Sequence, residues 1–222
     1  MLQELCKYFM LFMIYSILGW TIEIILTLLK SKKFINRGFF IGPYCPIYGI
    51  GVLLTIILLN KYQKDPIALF IMAMIICALL EYLTSFLMEV IFKNRWWDYS
   101  DKKFNINGRI CLEYMIPFGI GATVIYYLLN PLFLKLIELI NPTILVITSI
   151  ILFILFLTDV IISLNIITKI TKVSKTIKTD STEEITTKVK EILTDRSMPH
   201  RRLVKAFPGM KIRNKTKTPK SK

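Results

Sequence analysis

One stretch of 26 residues decides the fold class: residues 67–92 read IALFIMAMIICALLEYLTSFLMEVIF. The stretch is apolar almost throughout and contains neither proline nor glycine. At about 1.5 Å of rise per residue, a helix of this length is more than long enough to cross a hydrocarbon layer of about 30 Å. The stretch therefore predicts a transmembrane helix.

Further apolar stretches of similar composition cover residues 8–29, 43–60, 110–129 and 143–166. Residues 132–140 are too short to span, and we interpret them as an interfacial segment or an extension of a neighbouring helix. The chain is 54% hydrophobic, with a mean hydropathy of +0.56 over 222 residues, far above what one soluble core requires. We predict an all-α fold, a polytopic integral membrane helical bundle of about five transmembrane helices.

The positive charge is concentrated at the carboxyl end. Residues 167–222 hold 16 Lys/Arg against 5 Asp/Glu, a net +11 of the total +14. We therefore divide the chain into a transmembrane domain, residues 1–166, and a basic cytoplasmic tail, residues 167–222. Within the tail, a capping-box pattern at residues 181–184 predicts one short amphipathic helix, and mostly disorder is expected beyond Thr194. A basic tail beside a membrane favours anionic lipid headgroups as its partner over nucleic acid.

The loop charges predict the orientation. Four Lys/Arg lie in residues 30–42 and five in residues 93–109, but only two in residues 61–66 and one in residues 130–142. Positively charged loops are retained on the cytoplasmic side of a cell membrane. We therefore predict a multi-pass protein of the inner (plasma) membrane, with its amino terminus outside and its carboxyl terminus in the cytoplasm.

The sequence offers few of the side chains that usually bind metals or cofactors. The single histidine, His200, lies in the polar tail, and the four cysteines are scattered without paired spacing. The sequence predicts no metal site and no cofactor, and no residue is assigned a catalytic role.

Five ionisable residues fall within predicted helices: Glu23, Glu81, Glu89, Glu113 and Asp159. Each costs roughly 2.5–3.5 kcal/mol at a membrane centre, so each needs a partner, an aqueous cavity or an interfacial position. The predicted topology places four of them near the inner end of their helices and only Glu81 nearer the midplane. Glu81, Ser85 and Glu89 follow at intervals of four residues and share one helix face.

Two inner loops lie beside these carboxylates in the sequence, one at residues 36–49 and the other at residues 96–109. Residues 36–49 combine glycine, proline and aromatic residues, which is typical of a re-entrant or tightly turned segment. We expect Arg37 and Arg109 to neutralise some of the inner carboxylates and to leave a polar pocket at the inner leaflet. The alternative is that these residues only hold helices together. Candidate residues for binding a substrate or ion are Glu23, Arg37, Glu81, Ser85, Glu89, Asp98, Asn107 and Arg109.

Several motifs carry a resemblance to a known family: GWTIE at 19–23, NRGF at 36–39, GPYCPIYG at 42–49, WWDYS at 96–100, NINGRICL at 105–112 and RLVKAFP at 202–208. Together with Glu81-Tyr82 and Met88-Glu89, they resemble the CmpB-type ABC-transporter permease family. The resemblance implies a multi-pass membrane protein that acts as the permease component of a transporter.

Three functions remain open from the sequence. The first is the permease component of a transporter of unknown substrate, assembled as a homo-oligomer and served by a separate ATPase subunit, since the sequence has no Walker A motif. The second is a non-catalytic membrane regulator or scaffold. The third is an inner-leaflet enzyme acting on a lipid or isoprenoid, in which Glu23, Glu89 and Asp98 supply acid–base groups and Arg37 and Arg109 hold a phosphate.

Overall fold

The computed structural model describes residues 1–176, 186, 187, 189, 198–207 and 210–212. Its helices are α1 Leu2–Ser31, α2 Pro46–Leu58, α3 Pro66–Phe92, α4 Leu112–Val124, α5 Asn130–Glu138, α6 Pro142–Thr176 and α7 Met198–Ala206. Its strands are β1 Asn94–Arg95, β2 Asn105–Ile106, β3 Ile110–Cys111 and β4 Lys211–Ile212. A 3-10 turn, Asn60–Tyr62, follows α2, and a π-helical turn, Ile125–Leu129, joins α4 to α5.

Four helical spans are long and apolar enough to cross a membrane: Leu2–Ser31, Pro66–Phe92, Leu112–Glu138 and Pro142–Lys169. The predicted all-α membrane bundle is therefore confirmed. The fifth apolar helix, α2, has 13 residues and is about 20 Å long, too short to span the layer by itself. It begins at Pro46 because the preceding residues stay in the loop, where the Cys45 amide donates to the Ser16 carbonyl oxygen at 2.9 Å.

The short segment at residues 132–140 belongs to a longer helix. α4, the π-helical turn and α5 together form the span Leu112–Glu138, so the segment extends its neighbour, one of the two interpretations drawn from the sequence. Pro131 does not end the helix because it occupies the first turn of α5, next to the π-helical turn.

The short helix α2 lies at the centre of the bundle. It contacts both α1 and α3, while α1 also contacts α6 and α3 also contacts α4. The α1–α2 contact is close because Gly19 of α1 meets the ring of Tyr48, and Gly49 of α2 meets Phe12 and Ser16. A Cβ atom on either glycine would overlap those neighbours, so the glycines permit the approach.

The apolar core has separate clusters along the bundle. Leu11 and Tyr15 pack with Val52 among α1, α2, α5 and α6, and the Tyr15 hydroxyl donates to the Asn130 side-chain oxygen at 3.2 Å. Another cluster forms around Leu69 of α3. Large apolar side chains remain exposed along all the long helices, as expected for surfaces that face lipid.

The two irregular loops meet at one end of the bundle, which we call the loop end. It carries residues 32–45, residues 93–111 and the end of α6. Helices α1 and α3 both stop there at a lysine in the left-handed conformation, Lys32 and Lys93, whose backbone amides donate to the last turn. These reversals turn the chain back toward the bundle and bring the loops over the helix ends.

The carboxyl-terminal segment packs on the loop end. Helix α7 forms where the sequence predicts mostly disorder, and β4 pairs antiparallel with β1. The helix is stabilised by tertiary packing: its Leu203 joins a buried cluster with Phe92, Trp96, Ile167 and Met210. The amphipathic helix predicted after residues 181–184 lies largely outside the described residues, which here include only positions 186, 187 and 189.

Candidate functional site

Three buried polar side chains form a row along one face of α3. Glu81, Ser85 and Glu89 are only 7%, 4% and 5% exposed. Their spacing of four residues places them one above another, and the exposed side chains around them, such as Leu83 and Leu87, are apolar. We call these three residues the α3 row.

Glu89 lies between two arginines of the following loop. Its Oε2 atom is 2.9 Å from Nη2 of Arg109 and 3.0 Å from Nε of Arg95. Arg109 is buried, also donates to the Ser85 hydroxyl at 3.3 Å, and lies over the ring of Phe86. Arg95, the second of these cations, is not among the candidate residues from the sequence, where it is only one of several positive charges in its loop. The reversal at Lys93 brings it back onto α3.

Glu81, at the other end of the row, has no arginine partner among the described residues. Its Oε1 atom accepts a hydrogen bond from the Tyr99 hydroxyl at 3.3 Å, and its buried Oε2 atom has no hydrogen-bond partner within the described part of the chain. The Tyr99 ring stacks on that of Tyr114 with 4.7 Å between centroids. Burial, and next the nearby Glu81 charge, raise the pKa of Tyr99 well above its ordinary value, so Tyr99 remains a donor.

Asp98 and Asn107 shape the loop that carries Tyr99. Asp98 accepts from the Ser100 amide and hydroxyl at 3.1 and 2.5 Å, and Nη1 of Arg95 lies 3.4 Å from the same carboxylate. Asn107 adopts a left-handed backbone with φ of 53° and donates to the Tyr82 hydroxyl at 2.9 Å. Asn107 therefore ties the loop to α3, while Asp98 fixes the turn within the loop.

Glu23 forms a separate contact between α1 and α2. The Tyr48 hydroxyl donates to its Oε1 atom at 2.6 Å, while Nη1 of Arg37 is 3.7 Å from Oε2. The side chains of Arg37 and Glu23 are 41% and 28% exposed, so their ion pair contributes little to stability. Nearby, the Trp20 indole donates to the Asn36 side-chain oxygen at 2.8 Å and ties the loop to α1.

Asp159 of α6 accepts four hydrogen bonds, three of them from the loop at residues 32–45, which we call the first loop. The amides of Ile41 and Gly42 donate at 3.0 and 2.7 Å, the Tyr44 hydroxyl at 2.5 Å and the Ser163 hydroxyl at 2.8 Å. A carboxylate that accepts several such bonds is well stabilised without an arginine. Asp159 thus fastens the loop to α6.

Arg202 of α7 binds the residues of the same loop that directly precede those bound by Asp159. Its guanidinium donates to the carbonyl oxygens of Gly38, Phe39 and Phe40 at 3.1, 3.1 and 2.5 Å. Burial lowers the pKa of Arg202 and the charge of Asp159 raises it, yet an arginine retains its charge in proteins. The loop therefore presents carbonyl groups to a cation and amide groups to an anion.

The polar groups of this loop stay protonated. Burial, and then the hydrogen bond to Asp159, raise the pKa of the Tyr44 phenol above its ordinary value. Burial, with a smaller contribution from Glu23, raises the pKa of the Cys45 thiol to about 12. A thiol with so high a pKa is a poor nucleophile, which fits the packing role expected for the cysteines.

The four inner carboxylates engage four different sets of partners. Two expected ion pairs form, Glu23 with Arg37 and Glu89 with Arg109. Glu113 instead pairs with Lys102 at 3.0 Å on the exposed surface, and Asp159 binds the loop. Among the described residues, no group of three or more His, Cys, Asp or Glu side chains is arranged to hold a metal ion. The remaining unusual group is Glu81, the described carboxylate with a buried, unpaired oxygen.

The comparisons with known proteins agree with the motif resemblance. The family model described as "Putative ABC-transporter type IV" matches residues 10–164, which run from within α1 to within α6 and include every candidate residue of the site. No curated protein and no solved structure gave a significant match to the chain.

Proposed function

The chain belongs to the ABC-transporter type IV family, and we propose that it is the permease component of a transporter whose polar path follows the α3 row. Its apolar spans make it a multi-pass membrane protein. From Glu81 to Glu89 the row extends about 12 Å along the helix, toward the loop end. A path for a polar substrate needs such a row of buried polar groups inside an otherwise apolar bundle.

The observation that carries this proposal is the Oε2 atom of Glu81, which is buried without a hydrogen-bond partner among the described residues. A structural role explains Glu89, which holds two arginines, and Asp159, which holds a loop. It does not explain Glu81, whose Oε2 atom is buried without a partner. An apolar residue would stabilise the bundle more at this position, because an intramembrane carboxyl costs roughly 2.5–3.5 kcal/mol.

Arg109 closes the path in this conformation. It contacts both Ser85 and Glu89, so it fills the part of the row between Glu81 and the loop end. Transport would require the Arg109 side chain to move away from Ser85, and the loop that carries it is the element through which a partner could cause that movement.

The same proposal assigns an orientation and a partner. The loop end carries the most basic loops, residues 30–42 and 93–109, so it would face the cytoplasm, where ATP is available. ATP hydrolysis would belong to a separate subunit docked there. Since four spanning helices and the short α2 are few for a complete path, the permease would act as a homo-oligomer.

The test isolates the full-length chain from its native membranes in nanodiscs and measures ATP hydrolysis by the complex. We expect an ATP-hydrolysing subunit to copurify, and Glu81→Gln to change the hydrolysis rate several-fold, because it alters the path. The control is Glu138→Gln, which removes the same charge from an exposed position at the end of α5. Absence of a hydrolysing subunit, or equal rates for both variants, would contradict the proposal.

A further inference from the structure

Glu81 has fewer partners to compensate a negative charge than the other carboxylates in the predicted membrane helices. Glu89 has two arginines within 3.0 Å, Glu23 has Arg37 at 3.7 Å, Glu113 has Lys102 at 3.0 Å, and Asp159 accepts four hydrogen bonds. Glu81 has one donor, the Tyr99 hydroxyl, and it is long, at 3.3 Å. A negative charge on Glu81 would therefore be the least compensated of the five.

The groups around Glu81 are neutral or negative on every element packed against it. On α1, the charge of Glu23 repels a charge on Glu81. On α2 the neighbouring group is the Tyr48 hydroxyl, and on α3 it is the Cys77 thiol, one turn before Glu81. From the second loop comes Tyr99, which stacks on Tyr114 of α4. Arg109 is engaged further along the row by Ser85 and Glu89. No cationic side chain contacts Glu81 in the described part of the chain.

We propose that Glu81 is a proton-binding site, and that the proton is an ion coupled to transport. A carboxylate isolated from water and counter-charges takes up a proton rather than remain ionised. The proton would reside on Oε2, the atom without a partner, while Oε1 keeps the Tyr99 hydrogen bond. Binding converts the carboxylate to the neutral acid and release restores it, with water on either side of the membrane as the source and acceptor.

A proton fits this site better than a metal cation. Ca²⁺ takes roughly six to eight oxygen ligands and Mg²⁺ about six. Of the described residues, only Glu81 and Tyr99 direct oxygen atoms to this place, because the Glu23 carboxylate is engaged by Tyr48 and Arg37. A proton needs one oxygen atom, and that atom is present.

This inference rests on the proposed transport function for its physiological meaning, but proton binding can be measured without transport or an ATPase. The probe is dicyclohexylcarbodiimide, an apolar reagent that enters the membrane and reacts with protonated carboxyl groups. The carboxyl oxygen bonds to the carbodiimide carbon, and the carboxyl proton moves to a carbodiimide nitrogen. The acyl group then migrates to nitrogen, so the residue gains the whole reagent and nothing leaves.

The experiment labels the full-length chain in nanodiscs and locates the adduct by mass spectrometry. We expect Glu81 to be labelled on the order of tenfold more than Glu89 in mildly acidic buffer. The label on Glu81 should fall steeply in alkaline buffer, since each pH unit changes the acid-to-carboxylate ratio about tenfold. Glu89 is an internal control, because it is similarly buried but is paired with both Arg95 and Arg109.

A variant of the donor checks the mechanism without removing Glu81. Tyr99→Phe deletes the hydroxyl that stabilises the carboxylate form, so labelling of Glu81 should persist to higher pH. An unlabelled Glu81, a label that does not depend on pH, or a shift to lower pH in Tyr99→Phe would overturn the inference. A labelled Glu81 in a protein that copurifies no ATPase would refute the proposed partnership and leave the proton site standing.

Discussion

At the scale of single residues, the most buried ion pairs among the described residues are those around Glu89. Both arginines contact the same oxygen atom, and the side chains of Glu89, Arg109 and Arg95 are only 6%, 8% and 20% exposed. Burying charges in this way is costly, and their mutual attraction offsets the cost only while all the partners are present. Removing one charge should therefore do more damage than the contact itself contributes.

Glu89→Gln should lower the free energy of unfolding by about 3–5 kcal/mol, because it leaves two arginines without their shared anion. Reversible unfolding in mixed detergent micelles measures this change. In Glu138→Gln, which alters an exposed carboxylate, the free energy should stay within about 0.5 kcal/mol of the original. Equal stabilities for the two variants would show that Glu89 does not hold the second loop.

The sequence predicts part of this site because helical spacing fixes which residues share a face. The α3 row follows from positions 81, 85 and 89 alone, and the Glu89–Arg109 pair follows from placing both residues at one membrane depth. Arg95 and Tyr99 do not follow, since their contacts depend on the left-handed turn at Lys93, and the composition of the loop gives no sign of that turn.

At the scale of elements, the first loop is held between two opposite charges. Residues 38–40 offer carbonyl groups to Arg202 of α7, and Ile41 and Gly42 offer amides to Asp159 of α6. One arginine of the basic tail therefore binds the protein itself. Helix α7 depends on this contact and on its apolar packing.

Arg202→Ala should loosen α7 from the loop end. It removes donors to three carbonyl oxygens, and hydrogen bonds of charged groups contribute about 1.5–3 kcal/mol. The undocked fraction should therefore rise about tenfold or more. Proteinase K cleavage within α7, whose Leu203 is buried while the helix is docked, reports that fraction.

Lys205→Ala is the matched control for this measurement. It removes one positive charge from an exposed position of the same helix, so both variants lose the same charge from the tail. Its cleavage rate should stay close to that of the original chain. If both variants were cleaved equally fast, the docking would depend on net charge and not on the Arg202 contacts.

At the scale of the whole molecule, the hydropathy of the sequence is enough to predict the bundle, because each long helix must be apolar wherever it meets lipid. Hydropathy does not predict that α2 is short, since the apolar residues before it belong to a loop fixed by Asp159. Hydropathy also does not predict that α7 docks on the bundle, because its few apolar residues lie among many lysines and arginines.

The orientation of the bundle is the last prediction. The basic loops at residues 30–42 and 93–109 lie at the loop end, while residues 61–66 lie at the other, so the two ends differ in charge. In a background without native cysteines, Lys33→Cys and Lys103→Cys should be protected from an impermeant maleimide added outside intact cells. Lys64→Cys should be labelled. All three positions are exposed, so protection reports the membrane and not burial. Labelling of the first two from outside, with protection of the third, would reverse the orientation and place the proposed ATPase contact on the wrong side.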